Sequence, residues 1–409
     1  MKVNLSIDGE HFKNEVKNLR NKLEECKKTG ILDNDFEDRL KRLLQMEDSL
    51  LRDLIPYYRT NLDNIKKTSM EVIPIKELGS FSSHGFPQNI LRINKNLFIT
   101  SSINSKVQFF YINIPKKISE ENEIEVEWSL PIKEIKERIS FIYKLNHKEI
   151  LLLGVKGGCY ILSSDDFDKL PDINEQIKVK RIHIDSDFKG SGRTLEIGDN
   201  LFVTGNEEDT LTLFEIVKEK GEYSLNFHTD ISCIIPNWTA MEKIDEDCFI
   251  VGTKDGIIYF VKYENSQLRV LGETDMFHNR IRKINCLEDG KGNKKSLMVI
   301  GNKGKCKIFS LYEDTILENH DLKGNLFDLQ SEKGTAVVLS EDGIIYLFEE
   351  NFGNWYLNKE ATINNMFFTN IFKLSISKYL LMDIEGKLNL LDIDGIYTSQ
   401  DLWSIALYQ

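Results

Sequence analysis

The sequence predicts a mainly β fold, a seven-bladed β-propeller preceded by an N-terminal α-helical hairpin. Three observations support this prediction. A strand-turn-strand unit recurs seven times, successive turn residues are 52, 52, 47, 48, 39 and 43 residues apart, and residues 1–68 show helical periodicity instead. We therefore divide the chain into a helical hairpin at 1–68 and a propeller at 69–409.

The predicted hairpin has helices at 11–28 and 33–67, separated by the break Thr29-Gly30. Gly30 suits a C-terminal cap with positive φ, and Asp33 can cap the second helix. Apolar residues at three- and four-residue steps give the second helix an apolar stripe that needs a cover. The stripe packs either on the first helix and the propeller or, as a coiled coil, on another chain, so residues 11–67 are a candidate oligomerisation element.

Each predicted blade is recognised by a turn residue followed by a strand with apolar residues at its second, fourth and fifth positions. This alternation indicates a strand, and the added apolar residue indicates burial on both faces. The turn residues are Ser105, Gly157, Asp209, Gly256, Gly304, Gly343 and Gly386.

An upstream block in each repeat predicts the innermost strand, and a following segment predicts the outermost one. The fifth repeat is longer because residues 288–295 are inserted, which we interpret as a protruding loop. Two segments, 70–78 and 402–408, could supply the last outer strand, and we favour 70–78 because pairing the start of the chain with the last blade protects an open edge.

The hairpins at Thr253–Val261 and Ser340–Phe348 resemble those of WD40-like propellers, in which a small-x-x-Asp-Gly turn precedes a strand ending in a large apolar residue. The resemblance covers residues 89–394, although the Gly-His and Trp-Asp dipeptides of WD40 repeats are absent. It implies the propeller fold and the binding of partners on the propeller faces and rim.

Composition narrows the classes of partner and compartment. The net charge is −12, and residues 1–68 hold 14 basic and 13 acidic residues, so the acidity belongs to the repeats. An acidic surface opposes nucleic-acid binding. Six cysteines without Cys-x-x-Cys spacing, together with the lack of a leader or a membrane-spanning apolar run, favour a soluble cytoplasmic protein with no membrane partner.

Motifs for catalysis and metal binding are absent from the sequence. It has no Gly-x-Ser-x-Gly, no Walker loop and no His-x-x-x-His spacing, so we expect no metal and no cofactor. Propeller enzymes often scatter catalytic residues over several blades, so the question of an enzyme stays open and leans towards none.

A polar, locally basic set of residues is predicted where the innermost strands enter the central channel. Guanidinium groups bind carboxylates and phosphates in a bidentate manner, and amides both donate and accept. Alternatively, these side chains only cap strand ends and pair with loop carbonyls. The predicted mouth residues are Asn89, Arg138, Arg193, Trp238, His278, Arg280, Lys323, Asn325 and Asn370.

The fourth position of every aligned innermost strand is charged. Because burying unpaired charges is very costly, we expect these side chains to reach channel water or one another. They are Arg92, Lys144, Glu196, Lys243, Lys283, Asp328 and Lys373.

These patterns predict a non-catalytic interaction scaffold or sensor that binds another protein or a peptide at its mouth or rim, with the helical hairpin used for docking. The alternative is a propeller that binds or transforms a small anionic ligand in its channel, using Arg193, Arg280, Lys283 and His278.

Overall fold

A computed structural model of the chain shows a ring of seven β-sheets. The structure describes residues 69–78, 87–114, 124–165, 167, 177–182, 193–205, 209–289, 292–313, 315–351, 354–363, 366–375 and 377–394. The predicted hairpin at 1–68, including its proposed oligomerisation element, lies outside these residues and stays a prediction. No helix among the described residues has the length and apolar character needed to cross a bilayer.

The described residues form 29 strands in chain order. Their bounds are β1 Ser69–Pro74, β2 Lys76–Leu78, β3 Pro87–Arg92, β4 Leu97–Ser102, β5 Val107–Ile112, β6 Glu125–Trp128, β7 Ile139–Lys144, β8 Glu149–Gly154, β9 Cys159–Ser163, β10 Lys178–Ile182, β11 Thr194–Gly198, β12 Leu201–Gly205, β13 Thr210–Glu219, β14 Glu222–Ile234, β15 Trp238–Lys243, β16 Cys248–Thr253, β17 Ile257–Glu264, β18 Gln267–Asp275, β19 Ile281–Glu288, β20 Lys294–Gly301, β21 Lys305–Ser310, β22 Thr315–Asp321, β23 Leu326–Glu332, β24 Thr335–Ser340, β25 Ile344–Asn351, β26 Asn354–Thr362, β27 Phe368–Lys373, β28 Lys378–Asp383 and β29 Leu388–Asp394.

Each sheet is one blade; six sheets have four strands, and the sheet of blade 1 has a fifth. Blade 1 contains β3 to β6, blade 2 β7 to β10, blade 3 β11 to β14, blade 4 β15 to β18, blade 5 β19 to β22 and blade 6 β23 to β26, while blade 7 contains β27 to β29 and β1. The innermost strands of blades 1 to 7 are β3, β7, β11, β15, β19, β23 and β27. The predicted seven-bladed architecture is therefore confirmed.

The seven turn residues share one backbone conformation. All of them have positive φ, from 59° at Asp209 to 90° at Gly256. This region is accessible to glycine at little cost, which explains why five of the seven are glycine. At Gly256 a Cβ would also lie 2.1 Å from the carbonyl oxygen of Phe277, so the following connection lies directly against the turn.

The segment at 69–78 joins the two ends of the ring. Strand β1 is the outermost strand of blade 7, beside β29, and β2 pairs in parallel with β6 as a fifth strand of blade 1. The two strands are separated by Ile75, which is buried among residues of both blades. The other candidate for the closing strand, 402–408, lies outside the described residues.

The hydrophobic core is divided among the blade interfaces. Seven clusters of buried residues are found, and each combines side chains from two adjacent blades. The cluster between blades 7 and 1 includes Ile73 and Ile75, and the cluster between blades 6 and 7 includes Met70 and Val72. Alternate residues of the closing segment therefore pack on opposite sides of blade 7.

The insertion in the fifth repeat extends a hairpin rather than forming a protruding loop. Strand β19 continues to Glu288 and β20 begins at Lys294, where the two residues are paired. The turn is closed by Asp289, whose carboxylate accepts the backbone N–H of Asn293 at 2.9 Å. Of the inserted residues, Glu288, Lys294 and Lys295 belong to the two strands, and Asp289 and residues 292–293 lie between them. The predicted loop is therefore the end of a longer hairpin.

Candidate functional site

One face of the propeller carries the turn residues and the entrances of the innermost strands, and we call it the mouth face. The connection from each outermost strand to the next innermost strand lies on this face, because strand direction alternates within each blade. Six innermost strands have a β-bulge near this end, in blades 1, 2, 4, 5, 6 and 7. Such bulges redirect side chains at the rim of a sheet.

The strand pairing corrects the sequence alignment in blades 5 and 6. Lys283 pairs with Ile300 and Asp328 pairs with Leu339, each four residues before its turn residue, where the sequence placed Arg280 and Asn325. The alignment was therefore wrong by three residues in these blades, because the connections between their first two strands differ in length from the others. The equivalent first positions are Asn89, Phe141, Arg193, Ala240, Lys283, Asp328 and Asn370.

At the corrected fourth positions every side chain bonds to the preceding blade, in an arrangement that we call the interblade ring. The fourth positions are Arg92, Lys144, Glu196, Lys243, Cys286, Ser331 and Lys373. The bonds join Arg92 to the carbonyl oxygen of Leu374 (3.0 Å), Lys144 to that of Ile93 (2.5 Å), Tyr143 to the Glu196 carboxylate (2.7 Å), Lys243 to the carbonyl of Ile197 (3.1 Å), Cys286 to that of Lys243 (3.2 Å), Ser331 to that of Cys286 (2.9 Å), and Lys373 to the Glu332 carboxylate.

This ring gives the fourth-position charges a structural role. Arg92 donates further bonds to the carbonyls of Asn94 and Lys95, at 3.0 Å and 2.7 Å. Since a carbonyl partner offsets part of the loss of hydration, no external ligand is needed to explain these side chains.

Lys283 and Asp328 form a different interblade contact at the first position. Their Nζ and Oδ1 atoms are 2.6 Å apart, and the side chains are 27% and 8% exposed. Asp328 also accepts backbone N–H groups of Leu329 and, from blade 7, Ile371, each at 2.9 Å. Asp328 therefore joins blades 5, 6 and 7.

Three arginines lie together where the channel opens. The guanidinium group of Arg193, in blade 3, donates to the carbonyl oxygen of Arg282, in blade 5, at 3.3 Å. The bond therefore joins two blades that are not neighbours in the ring. Arg280 is exposed two residues before Arg282, and the residue between them, Ile281, is completely buried.

Few donors of these arginines have a partner among the described residues. Arg282 donates one bond to the Asn302 side chain at 2.6 Å and lies over the ring of Phe327, with its guanidinium carbon 5.3 Å from the ring centroid. Within the part of the chain that the structure describes, none of the three forms an ion pair with a carboxylate. A guanidinium group has five N–H donors, so the cluster can donate several hydrogen bonds to an anionic ligand.

Electrostatics agree with a concentration of positive charge. Loss of bulk hydration inside the ring of blades lowers the pKa of Arg193; Asp328 opposes this change, and Arg280 and Arg282 add to it. Loss of hydration lowers the pKa of Arg282 as well; Arg280 adds to that effect, and the Glu341 carboxylate opposes it. Because arginine side chains carry a positive charge in proteins, the repulsion among the three favours binding of an anion.

Several predicted mouth residues instead connect neighbouring blades. Asn89 donates to the carbonyl of Ile139 at 3.0 Å, and Arg138 donates to the Gln88 side chain at 2.7 Å. Asn325 accepts the backbone N–H of Lys303 at 2.8 Å and donates to Glu341. For these residues the structure favours the capping alternative.

The remaining predicted mouth residues differ in environment. Asn370 accepts a bond from the hydroxyl of Thr369 at 3.0 Å, while exposed Lys323 lies 3.6 Å from the Glu360 carboxylate. His278 is exposed on the connection before blade 5. The structure thus brings Arg193 and Arg280 together, without the other predicted residues.

Trp238 is a packing residue between blades 3 and 4. It is half-buried beside the hydrophobic cluster of that interface, and a Cβ on Gly205 would lie 2.4 Å from its ring. The absence of a side chain at Gly205 therefore makes space for the indole. This position explains Trp238 without a ligand.

Arg282 was missed by the sequence analysis. It occupies the bulge of β19, where Ser140, Thr239 and Thr369 of other blades carry hydroxyls that bond to nearby backbone carbonyls. In a corrected alignment, a charged residue at this bulge position, where other blades have a hydroxyl residue, would have indicated Arg282 as a candidate.

The chain matches no known protein-family profile. It matches no curated protein sequence either. Among solved structures it is similar to Sqt1 of Chaetomium thermophilum, determined bound to the N-terminus of the ribosomal protein L10, with a TM-score of 0.51 and 10% sequence identity. The similarity covers 73% of this chain and 80% of Sqt1, and at this identity it concerns the fold alone. The chain therefore has the seven-bladed β-propeller fold.

Proposed function

We propose that this protein is an interaction module that binds an acidic peptide segment of a partner protein at the mouth face. The observation that carries the proposal is the cluster of Arg193, Arg280 and Arg282, which has no carboxylate partner among the described residues. Carboxylates are the protein groups that pair best with guanidinium groups, through parallel N–H···O bonds.

The position of the cluster favours a peptide over a small ligand held deep in the channel. Arg193 and Arg280 are exposed at the entrance, whereas the charged side chains further along the innermost strands bond to neighbouring blades. Lys283, part of the small-ligand alternative, is already paired with Asp328. A ligand that reaches the arginines therefore remains in contact with the mouth face.

The structural comparison offers support of a general kind. Sqt1, which shares the fold, is a protein whose structure contains a bound segment of another protein. The segment that we propose here is defined by the charge of this chain's own mouth.

A selection of random 12-residue peptides on the immobilised full chain tests the proposal. We expect enriched peptides to carry an excess of Asp and Glu, with affinities that fall as salt rises because the contacts are charged. The double variant Arg280→Ser, Arg282→Ser is expected to weaken their binding at least about 30-fold, since several charge-assisted bonds are lost.

The matched control is Arg269→Ser, on the outermost strand of blade 4, where the arginine side chain is 72% exposed. This variant is expected to bind the peptides like the unmodified chain. Enrichment of neutral or basic peptides, or equal binding by the double variant, would overturn the proposal. Displacement of the peptides by millimolar inorganic phosphate would shift it towards a small anion.

A further inference from the structure

The mouth face has an apolar sector as well as a basic one. A recurring backbone bond defines equivalent positions there: the residue two before the turn residue donates its N–H to the carbonyl three residues before the first position of the innermost strand. The bonds join Val155 to Arg138 (2.8 Å), Lys254 to Asn237 (2.8 Å), Asn302 to Arg280 (3.1 Å), Glu341 to Asn325 (2.9 Å) and Ile384 to Phe367 (2.9 Å).

The side chains at these equivalent positions are basic in some blades and apolar in others. Blades 4 and 5 contribute the basic residues Lys254 and Arg280, next to Arg282. Blade 7 contributes Phe367 and Ile384, which are 53% and 37% exposed. Blade 1 follows with Ile103, which lies two residues before its turn residue and is 39% exposed.

The apolar residues are not explained by packing within the ring. Phe368, the next residue after Phe367, is 1% exposed in the interface between blades 6 and 7, so the chain already places one phenyl ring in the core and the other outside. Exposed aromatic and aliphatic side chains on adjacent blades form a surface that a partner can cover.

Blade 6 separates the two sectors with a hydrogen-bonded pair of side chains, one amide and one carboxylate. Its Asn325 and Glu341 side chains bond to each other, and Asn325 also bonds to the turn of blade 5. A segment that extends from blade 5 to blade 7 therefore passes over side chains that need no new partner.

We propose that the ligand is an amphipathic peptide, in which acidic residues bind the arginines of blades 3 and 5 and a bulky apolar side chain packs on Phe367 and Ile384 of blade 7. This inference rests on the proposed function and specifies its ligand. Charge complementarity supplies the argument for the acidic part, and the paired exposed side chains supply it for the apolar part. The arginines orient the segment, and the apolar contact adds affinity that salt does not screen.

The test uses the peptides selected on the full chain. We expect the enriched sequences to contain a Phe, Leu, Ile or Trp at a fixed distance from the acidic residues. Replacing that residue by Ser in the best peptide is expected to weaken binding about tenfold, as for the loss of a buried anchor. The variant Phe367→Ser, Ile384→Ser is expected to bind the original peptide equally weakly and to show no further loss with the Ser peptide.

The control variant is Tyr312→Ser, which removes a side chain that is 76% exposed on the opposite face, after β21. It is expected to retain both the affinity and the preference for the apolar residue. A fixed acidic preference without an apolar one, or an apolar preference that persists in Phe367→Ser, Ile384→Ser, would overturn this inference and leave the proposed function intact. Failure to select acidic peptides at all would overturn both.

Discussion

Replacing Asp328 with alanine would remove an acceptor that three blades share. Asp328 is buried, and its carboxylate accepts from Lys283 Nζ at 2.6 Å and from the backbone N–H groups of Leu329 and Ile371 at 2.9 Å. Two backbone donors left without a partner cost about 1–3 kcal/mol each. The Lys283 ammonium is 27% exposed, so water replaces part of its partner and we allow about 1 kcal/mol for it.

We therefore expect Asp328→Ala to lower the free energy of unfolding by about 3–7 kcal/mol, the sum of these contributions. Lys283→Met is expected to cost only about 1–2 kcal/mol, because the two backbone donors still satisfy Asp328. The measurement is urea denaturation of the full chain, followed by tryptophan fluorescence and circular dichroism to establish that one transition is observed.

Asp321→Ala is the matched control, since Asp321 pairs with Lys305 at 2.6 Å but is 69% exposed. An exposed pair of this kind contributes about 0–1 kcal/mol. The reasoning is refuted if Asp328→Ala costs no more than Asp321→Ala, or if Lys283→Met costs as much as Asp328→Ala. The second result would mean that the ion pair, rather than the backbone bonds, supplies the stability.

Two further predictions concern buried groups. Gly205→Ala is expected to lower the thermal midpoint, because its Cβ would lie 2.4 Å from the Trp238 ring, and the effect is expected to shrink in a Trp238→Leu background that relieves the clash. Burial raises the pKa of Glu349 to about 7 from 4.5, and its Oε1 has no partner among the described residues. The folded state then holds this proton more tightly than the unfolded state, so stability falls as pH rises from about 4.5 to 7. Glu349→Gln is expected to remove that fall in stability, about 2–3 kcal/mol, in urea titrations across this pH range. The control is Glu222→Gln, which changes an exposed residue of β14 and is expected to leave the fall unchanged. An unaltered pH profile in Glu349→Gln would contradict the assignment.

The blade repeat could be predicted from the sequence because two local properties indicate it. Turn residues such as Gly256 need positive φ, and the following strand alternates in hydrophobicity. Both properties depend on neighbours within a few residues, so they survive the absence of any sequence match. This explains why the blade count was confirmed.

The strand register of blades 5 and 6 could not be predicted from the sequence in the same way. Strand periodicity does not reveal how long a hairpin is, and β19 and β20 reach Glu288 and Lys294 within the inserted segment. A polar residue stands in the fourth position under either alignment of blade 6, Asp328 or Ser331, so the pattern could not choose between them. Only the pairing of Asp328 with Leu339 decides it.

The arginine cluster was predicted in part. Arg193 and Arg280 were identified because polar residues recur near the entrances of the innermost strands. Their contact with Arg282 depends on ring closure, which brings together residues 89 positions apart. Trp238 was expected to contact a ligand, and only the three-dimensional structure shows that its ring fills the space left by Gly205.

The closing segment also has a consequence for the order of synthesis. Strand β1 leaves the ribosome early, but its neighbour β29 follows about 300 residues later. At 5–20 residues per second this interval is about 15–60 s. During that time Met70, Val72 and Ile73 have no blade 7 to pack on, and the contact between β1 and β29, which joins strands far apart in sequence, forms late. The nascent protein therefore carries an uncovered β-strand throughout translation of the ring, when pairing with another chain competes with closure.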